Sequence, residues 1–376
     1  MGKLLANFAL MAAATIITLI FIEMVLHILD IPKYSTPAEN FRRPDEIYHH
    51  AFIPNMNAHV KLAEFTNEYK INSFGLRDRE INLTKSKYRI LLVGDSFIEG
   101  EGVNYEDMVS TQLQKTLDEK GYQAEVVNGG IAGGSPMVEY LYLKNYLLKL
   151  NPDLVILNFD LSDVQDDYNY EKTAAKDSAG EVVAVPSDNF TTPGWRDLEY
   201  TCSKYKFNLC ILAYRAGRAI FKKYVITPGD IASDNMFLTR FNLTAEQTEP
   251  HYNLTFHEIK RIADLAKENN ITFILVSFPR GNQIEGEWAA GRKMWSFEQG
   301  KIYSLEIFER MHKFANENGI FYIDTYLDFN SSTEHPLFYS QDFHMTALGY
   351  KTLADATFKQ MFLNDAVKNS IPQIEG

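Results

Sequence analysis

A serine that follows a run of apolar residues and a bend, and a histidine two positions after an aspartate far downstream, are the side chains best suited to nucleophilic chemistry in this chain. Residues 90–93 are Ile-Leu-Leu-Val, and Gly94-Asp95-Ser96-Phe97 follows directly. Four consecutive apolar residues suit a strand covered on both faces, and Gly94 lets the chain bend closely where that strand stops. Ligand sites in open α/β sheets lie at that edge. The next helix is expected from about Asn104, which leaves the N–H groups of the Asp95-Ser96 turn free to face a developing oxyanion.

A serine hydroxyl is inert without a base. The run Ser340-Gln341-Asp342-Phe343-His344-Met345-Thr346 follows an expected strand at 320–323 and precedes an amphipathic stretch bearing Leu353, Phe358, Met361 and Phe362. His344 therefore lies in a loop ahead of a final helix, where Asp342 can orient its imidazole and stabilise the charged form, the third role of a triad. Between these ends, Asn128-Gly129-Gly130-Ile131-Ala132-Gly133-Gly134-Ser135-Pro136 reads as a strand end, a glycine-rich turn and a helix start, with Ser135 as N-cap and Pro136 at the first helical position. A tight strand-to-helix connection explains those glycines equally well. A third strand, 154–159, ends in Asp160-Leu161-Ser162-Asp163 at the same edge.

These four blocks, in this order, resemble the SGNH (GDSL-like) hydrolase superfamily. The resemblance implies Ser96 as nucleophile, His344 as base, Asp342 as its acid partner, and an oxyanion hole built from the N–H groups of Ser96 and Gly133. The family's Asn falls on Ser162, whose hydroxyl is shorter than an amide and rotates freely. Ser162 would then be a weak third donor, where loss of one donor costs about 3–4 kcal/mol. Asp342 stands two residues before His344, a spacing similar to the membrane-anchored bacterial branch and its alginate O-acetyltransferase-type members. The stretch Asn72-Ser73-Phe74-Gly75-Leu76-Arg77-Asp78 is similar to the lead-in of that branch, and the match covers roughly 70–165 and 335–355.

The resemblance implies a serine esterase or O-acyltransferase acting on acyl esters of cell-envelope glycans through an acyl-enzyme on Ser96, without a cofactor. The other reading is a non-catalytic relative that binds a glycan or a membrane acyltransferase partner.

Residues 4–29 are almost wholly apolar, long enough to cross a bilayer core of roughly 30 Å at 1.5 Å per residue. They read as one transmembrane anchor, with Glu23 and His27 near the interface. A cleaved signal peptide is the alternative, though no small-x-small site follows. Lys33, Arg42 and Arg43 outnumber Lys3 and lean toward a cytoplasmic main domain. The family resemblance leans toward a periplasmic or extracellular one and is preferred. Cys202 and Cys210 are compatible with a disulfide there but do not demand one.

Length and pattern divide the chain into an anchor (1–30), a lead segment (31–86), an SGNH-type domain (87–365) with an insertion at about 171–243, and a tail (366–376). Strands at 88–93, 123–128, 154–159, 271–278 and 320–323 alternate with helices at 104–120, 135–150 and 301–317. That is the pattern of a three-layer, doubly wound parallel α/β sheet, flavodoxin-like in the SGNH family. Thr255-Phe256-His257-Glu258 reads as a capping box opening a helix to about Glu268, and the insertion as a long loop at 171–195 followed by a helical pair at 205–225.

A net charge of −12 and the lack of a Lys/Arg run interleaved with aromatics argue against nucleic acid as a partner. No metal is expected: His49 and His50 are adjacent and cannot both face one site on a strand, and no His-x-x-x-His or Cys-x-x-Cys occurs. The turn after the first strand carries Asp95, Glu99 and Glu101 and no Lys, which suits a nucleotide phosphate poorly.

Overall fold

The computed structural model describes residues 2–29, 41–62, 64–187, 202, 207–224, 245–289, 298–300 and 303–373. Strands β1 (Tyr88–Val93), β2 (Ala124–Asn128), β3 (Leu154–Phe159), β4 (Thr272–Ser277) and β5 (Phe321–Asp324) form one parallel sheet in the order β2-β1-β3-β4-β5. This is the doubly wound order expected, and its switch point lies between β1 and β3.

Alternation along the strands feeds two cores. Ile90, Leu92, Ile156, Ile274 and Val276 face Leu113 and Leu117 of the helix Val109–Glu119 and Leu353 and Met361 of the helix Ala347–Met361. Leu91, Val93, Val155, Leu157 and Leu275 face the other way, onto the helices Pro136–Asn145, Ala245–Glu268 and Glu306–Asn318. Both faces are covered, so residues 90–93 of β1 and 154–157 of β3 are continuous apolar runs, as buried parallel strands favour.

Several local readings change. The helix ending at Glu268 begins at Ala245, so Thr255 lies mid-helix; Tyr252 extends the stripe of Ile259, Ile262 and Ala266 onto the sheet, and that burial outweighs Pro250 inside the helix. The expected loop at 171–195 contains a hairpin of Ala175–Lys176 and Val182–Ala184. Where a helical pair was expected at 205–225, one helix runs Asn208–Tyr224; 203–206 and residue 225 lie outside the described residues. Two small antiparallel sheets, Arg42–Pro44 with His50–Phe52 and Asn57–Lys61 with Thr66–Lys70, organise the lead segment around Phe41, Phe52 and Tyr69.

The N-terminal helix Gly2–Ile28 is long and apolar enough to cross a membrane, and none of it is buried. Glu23, read from sequence as interfacial, meets a partner helix. Its carboxylate accepts the N–H groups of Asn208 and Leu209 at 2.7 and 2.8 Å and the Asn208 amide at 3.0 Å. A carboxylate at that end satisfies unpaired N–H groups and opposes the helix dipole. The disulfide Cys202–Cys210 closes the chain at the same end.

Candidate active site

β1 stops at Gly94, where no larger residue fits: a Cβ there would lie 2.5 Å from Ile98 Cγ1. Asp95 then caps a single helical turn, Ser96–Glu99, by accepting the Phe97 N–H at 2.9 Å. The helix expected from Asn104 runs Val109–Glu119 after a 3-10 turn at Tyr105–Asp107, and a separate turn that the sequence did not announce starts at Ser96. The first N–H groups of a helix have no intrahelical partner. Among the described residues, the N–H groups of Ser96 and Gly133 donate to no protein acceptor.

The C-terminal loop brings His344 to this turn. Ser96 Oγ lies 2.7 Å from His344 Nε2, and His344 Nδ1 is hydrogen-bonded to Asp342 Oδ1. Phe343, between the two, has φ 74, a left-handed value unfavourable for an aromatic residue. Its buried ring, clustered with Tyr303 and Trp288, holds it there. The Glu64 carboxylate accepts three successive N–H groups of the loop, Ser340 at 3.0 Å, Gln341 at 2.6 Å and Asp342 at 2.9 Å.

A second carboxylate flanks the histidine. Glu101 Oε2 lies 3.7 Å from His344 Nε2, on the nitrogen that faces Ser96. Burial alone would lower the imidazole pKa; Glu101, Asp342 and Asp95 outweigh it and raise it to about 9. Asp95 is itself pushed up to about 7, first by burial and then by the Asp160 charge.

The glycine-rich turn after β2 docks on the helical turn that begins at Ser96. Gly130 passes so close that a Cβ would lie 2.1 Å from Glu99 N. The Ile131 N–H donates to Gly94 O at 3.0 Å, and the Ala132 N–H to Glu99 Oε2 at 2.6 Å. Arg42 pairs with the other Glu99 oxygen. Gly133, at φ 75, has its carbonyl held by the Tyr170 hydroxyl at 2.6 Å.

No family model matches the chain, and no curated protein matches it. The chain resembles solved acylhydrolases and esterases of the GDSL kind. A lipase/acylhydrolase from Enterococcus faecalis aligns at 12% identity and TM-score 0.39 over 77% of this chain and 99% of its own. A GDSL-like lipase from Bacteroides thetaiotaomicron aligns at 15% identity and TM-score 0.36 over 75% and 89%. A catalytic mutant of an acetylxylan esterase from Geobacillus stearothermophilus aligns at 15% identity and TM-score 0.38 over 73% and 94%.

Ser162 is placed differently from the expectation. It heads the helix Asp163–Glu171, and its hydroxyl donates to Asp160 rather than standing ready for an oxyanion. Asp160 in turn takes both arms of Arg280, Nε at 2.8 Å and Nη2 on the other oxygen. Burial would raise the Asp160 pKa, but the Arg280 charge and the Ser162 hydrogen bonds overrule it and hold it low. The Arg280 guanidinium lies 5.8 Å from the Phe97 ring centroid, and Phe97 packs 4.9 Å from the His344 ring.

Sequence reasoning missed Glu64, Glu101 and Arg280. For Arg280 a signal existed, since it follows β4 at the ligand-binding edge. Arg77 and Asp78 were noticed only as part of the lead-in. Arg77 is buried and donates to the carbonyls of Glu68, Glu99, Gly100 and Val103 at 2.6–3.1 Å; Asp78 accepts the Asn128 N–H at 2.8 Å. Together they brace the nucleophile loop and the end of β2. The two adjacent histidines also differ from expectation: His49 takes φ 66, so its ring turns back to meet His50, Nδ1 to Nδ1, at 2.8 Å.

Proposed function

We propose that this protein is a serine esterase of the SGNH kind, acting on acyl esters of cell-envelope glycans. The observation that carries the reading is the unbroken chain from Ser96 Oγ to His344 Nε2 at 2.7 Å and from His344 Nδ1 to Asp342. Ser96 Oγ bonds to the acyl carbonyl carbon as its proton passes to His344 Nε2, and Asp342 stabilises the imidazolium. The oxyanion faces the N–H groups of Ser96 and Gly133. Collapse breaks the ester C–O bond, and the departing alkoxide takes the proton back from His344. Water repeats the sequence to release the acid; a sugar hydroxyl in its place gives O-acyl transfer, for which a membrane acyltransferase partner would load the acyl group.

A second reading, a binding protein without turnover, is favoured by the Glu101 carboxylate beside the reacting nitrogen and by the committed Ser162 hydroxyl. Labelling of the detergent-solubilised full chain with a fluorophosphonate separates the two. Label on Ser96 that disappears in Ser96→Ala is the expected result; a folded protein that takes no label between pH 7 and pH 10 belongs to the second reading.

The helix Gly2–Ile28 serves as the anchor, and the main domain lies outside the cytoplasm. The Cys202–Cys210 bond supports that side, because disulfides persist in oxidising compartments. A reporter fused after Gly376 should be active only outside; activity in the cytoplasm would overturn the orientation and the envelope substrate together.

A further inference from the structure

Two segments distant in sequence, one carrying His49 and His50 and the other Tyr170, converge on the Gly133 turn. His50 Nε2 lies 2.8 Å from Ala132 O, His49 Nδ1 lies 2.8 Å from His50 Nδ1, and the Tyr170 hydroxyl holds Gly133 O at 2.6 Å. The His49 and Tyr170 rings stand edge to face with centroids 5.1 Å apart.

The protons of this relay are fixed by its last acceptor. A carbonyl oxygen can only accept, so His50 Nε2 carries hydrogen. Burial, with the Arg42 charge, pulls the His50 pKa down to about 3, so the ring is neutral and its Nδ1 is a lone pair. His49 Nδ1 must then be the donor across the 2.8 Å contact. Burial lowers the His49 pKa as well, and a neutral ring that donates from Nδ1 keeps a lone pair on Nε2. That nitrogen has no partner among the described residues and is not among the sealed polar atoms, so it opens to solvent. His49 reaches this pose at φ 66, a conformation a histidine does not adopt without compensation. The hydrogen bond from Asp45 N to His49 O at 2.8 Å and the relay supply it.

We propose that His49 Nε2 and the Tyr170 ring form a subsite for the alcohol half of the ester, one that takes a neutral, hydroxyl-bearing ring such as a sugar. A lone-pair nitrogen accepts from a hydroxyl and disfavours a carboxylate or a phosphodiester, which have no proton to give at neutral pH. The aromatic ring offers an apolar wall to the C–H face of a pyranose. The subsite lies against the turn whose N–H would bind the oxyanion, so an ester held there has its carbonyl within the same turn's reach. This inference rests on the esterase reading for its substrate, and it deepens that reading by naming the residues that select the alcohol.

The test uses binding, which does not require turnover. On the full chain carrying Ser96→Ala, calorimetry measures the affinity for methyl 6-O-acetyl-glucoside and for cyclohexylmethyl acetate, which keeps the acyl group and the ring but has no hydroxyls. His49→Asn is then added; Asn tolerates a left-handed backbone, so the turn is kept, but its amide is too short to reach the Nε2 position. The expected result is a loss of tenfold or more in preference for the glucoside over the carbocycle. An unchanged preference, an equal loss for both probes, or no glucoside binding by the Ser96→Ala protein would overturn the subsite. Failure of the esterase reading is seen separately, as absence of fluorophosphonate label in the protein with an intact Ser96.

Discussion

The Glu64 carboxylate accepts the backbone N–H of Asp342 at 2.9 Å, so a residue of the lead segment fixes the loop that carries both Asp342 and His344. Hydrogen bonds to charged groups contribute about 1.5–3 kcal/mol. Glu64→Ala should lower kcat about tenfold or more by loosening the pose of His344, and should lower unfolding free energy in urea by a similar 1.5–3 kcal/mol. A stability loss with unaltered kcat would reduce Glu64 to a structural clasp.

His344 must be neutral to take the Ser96 proton, and its pKa is raised from 6.5 to about 9. The activity limb in kcat/KM should therefore climb as pH rises through that region. The same shift stabilises the fold: its contribution is fully present below the unfolded value of 6.5 and is lost as pH rises through about 9. Glu101→Gln removes a negative charge 3.7 Å from Nε2, so the limb should move to lower pH and part of that stability should go. A pH profile that stays in place would mean Glu101 does not act on the reacting nitrogen.

Ser162→Ala separates two roles for one hydroxyl. With the hydroxyl committed to the Asp160 carboxylate, the substitution should cost about 1.5–3 kcal/mol of stability and leave the rate of Ser96 labelling within a few-fold. A fall of a hundredfold or more is the signature of a lost oxyanion donor and would restore the family role to Ser162.

Arg280→Met strands the Asp160 carboxylate in the interior. Removing one partner of a buried ion pair destabilises by about 3–5 kcal/mol, and denaturant unfolding should register a loss of that size. Arg280→Lys should recover only part of it, because an ammonium cannot offer both oxygens the forked geometry. Full recovery would mean that charge alone holds the pair.

What could be read from the sequence was local. The run at 90–93 followed by Gly94-Asp95-Ser96 announces a buried strand and a sharp turn, because burial and backbone freedom are properties of neighbouring residues. All five sheet strands are visible in the same way. Glu64 and Asp342 act on each other across 278 positions and Arg280 and Asp160 across 120, and no periodicity links them. Thr255 misled for a related reason: Thr-x-x-Glu looks like a helix start, but the face beginning at Tyr252 gains more by lying on the sheet. His49 and His50 misled because strand alternation was assumed where the backbone is left-handed.

The three hydrogen bonds that Glu23 receives from Asn208 and Leu209 change how the helix Asn208–Tyr224 would ride at a membrane. A head on a loose tether swings through a hemisphere and samples material at many distances. Once the apolar helix is seated in a bilayer, the helix Asn208–Tyr224 bonded to it shares its tilt and keeps one standoff from the lipid. Lateral diffusion then carries the two helices as one unit at that single height.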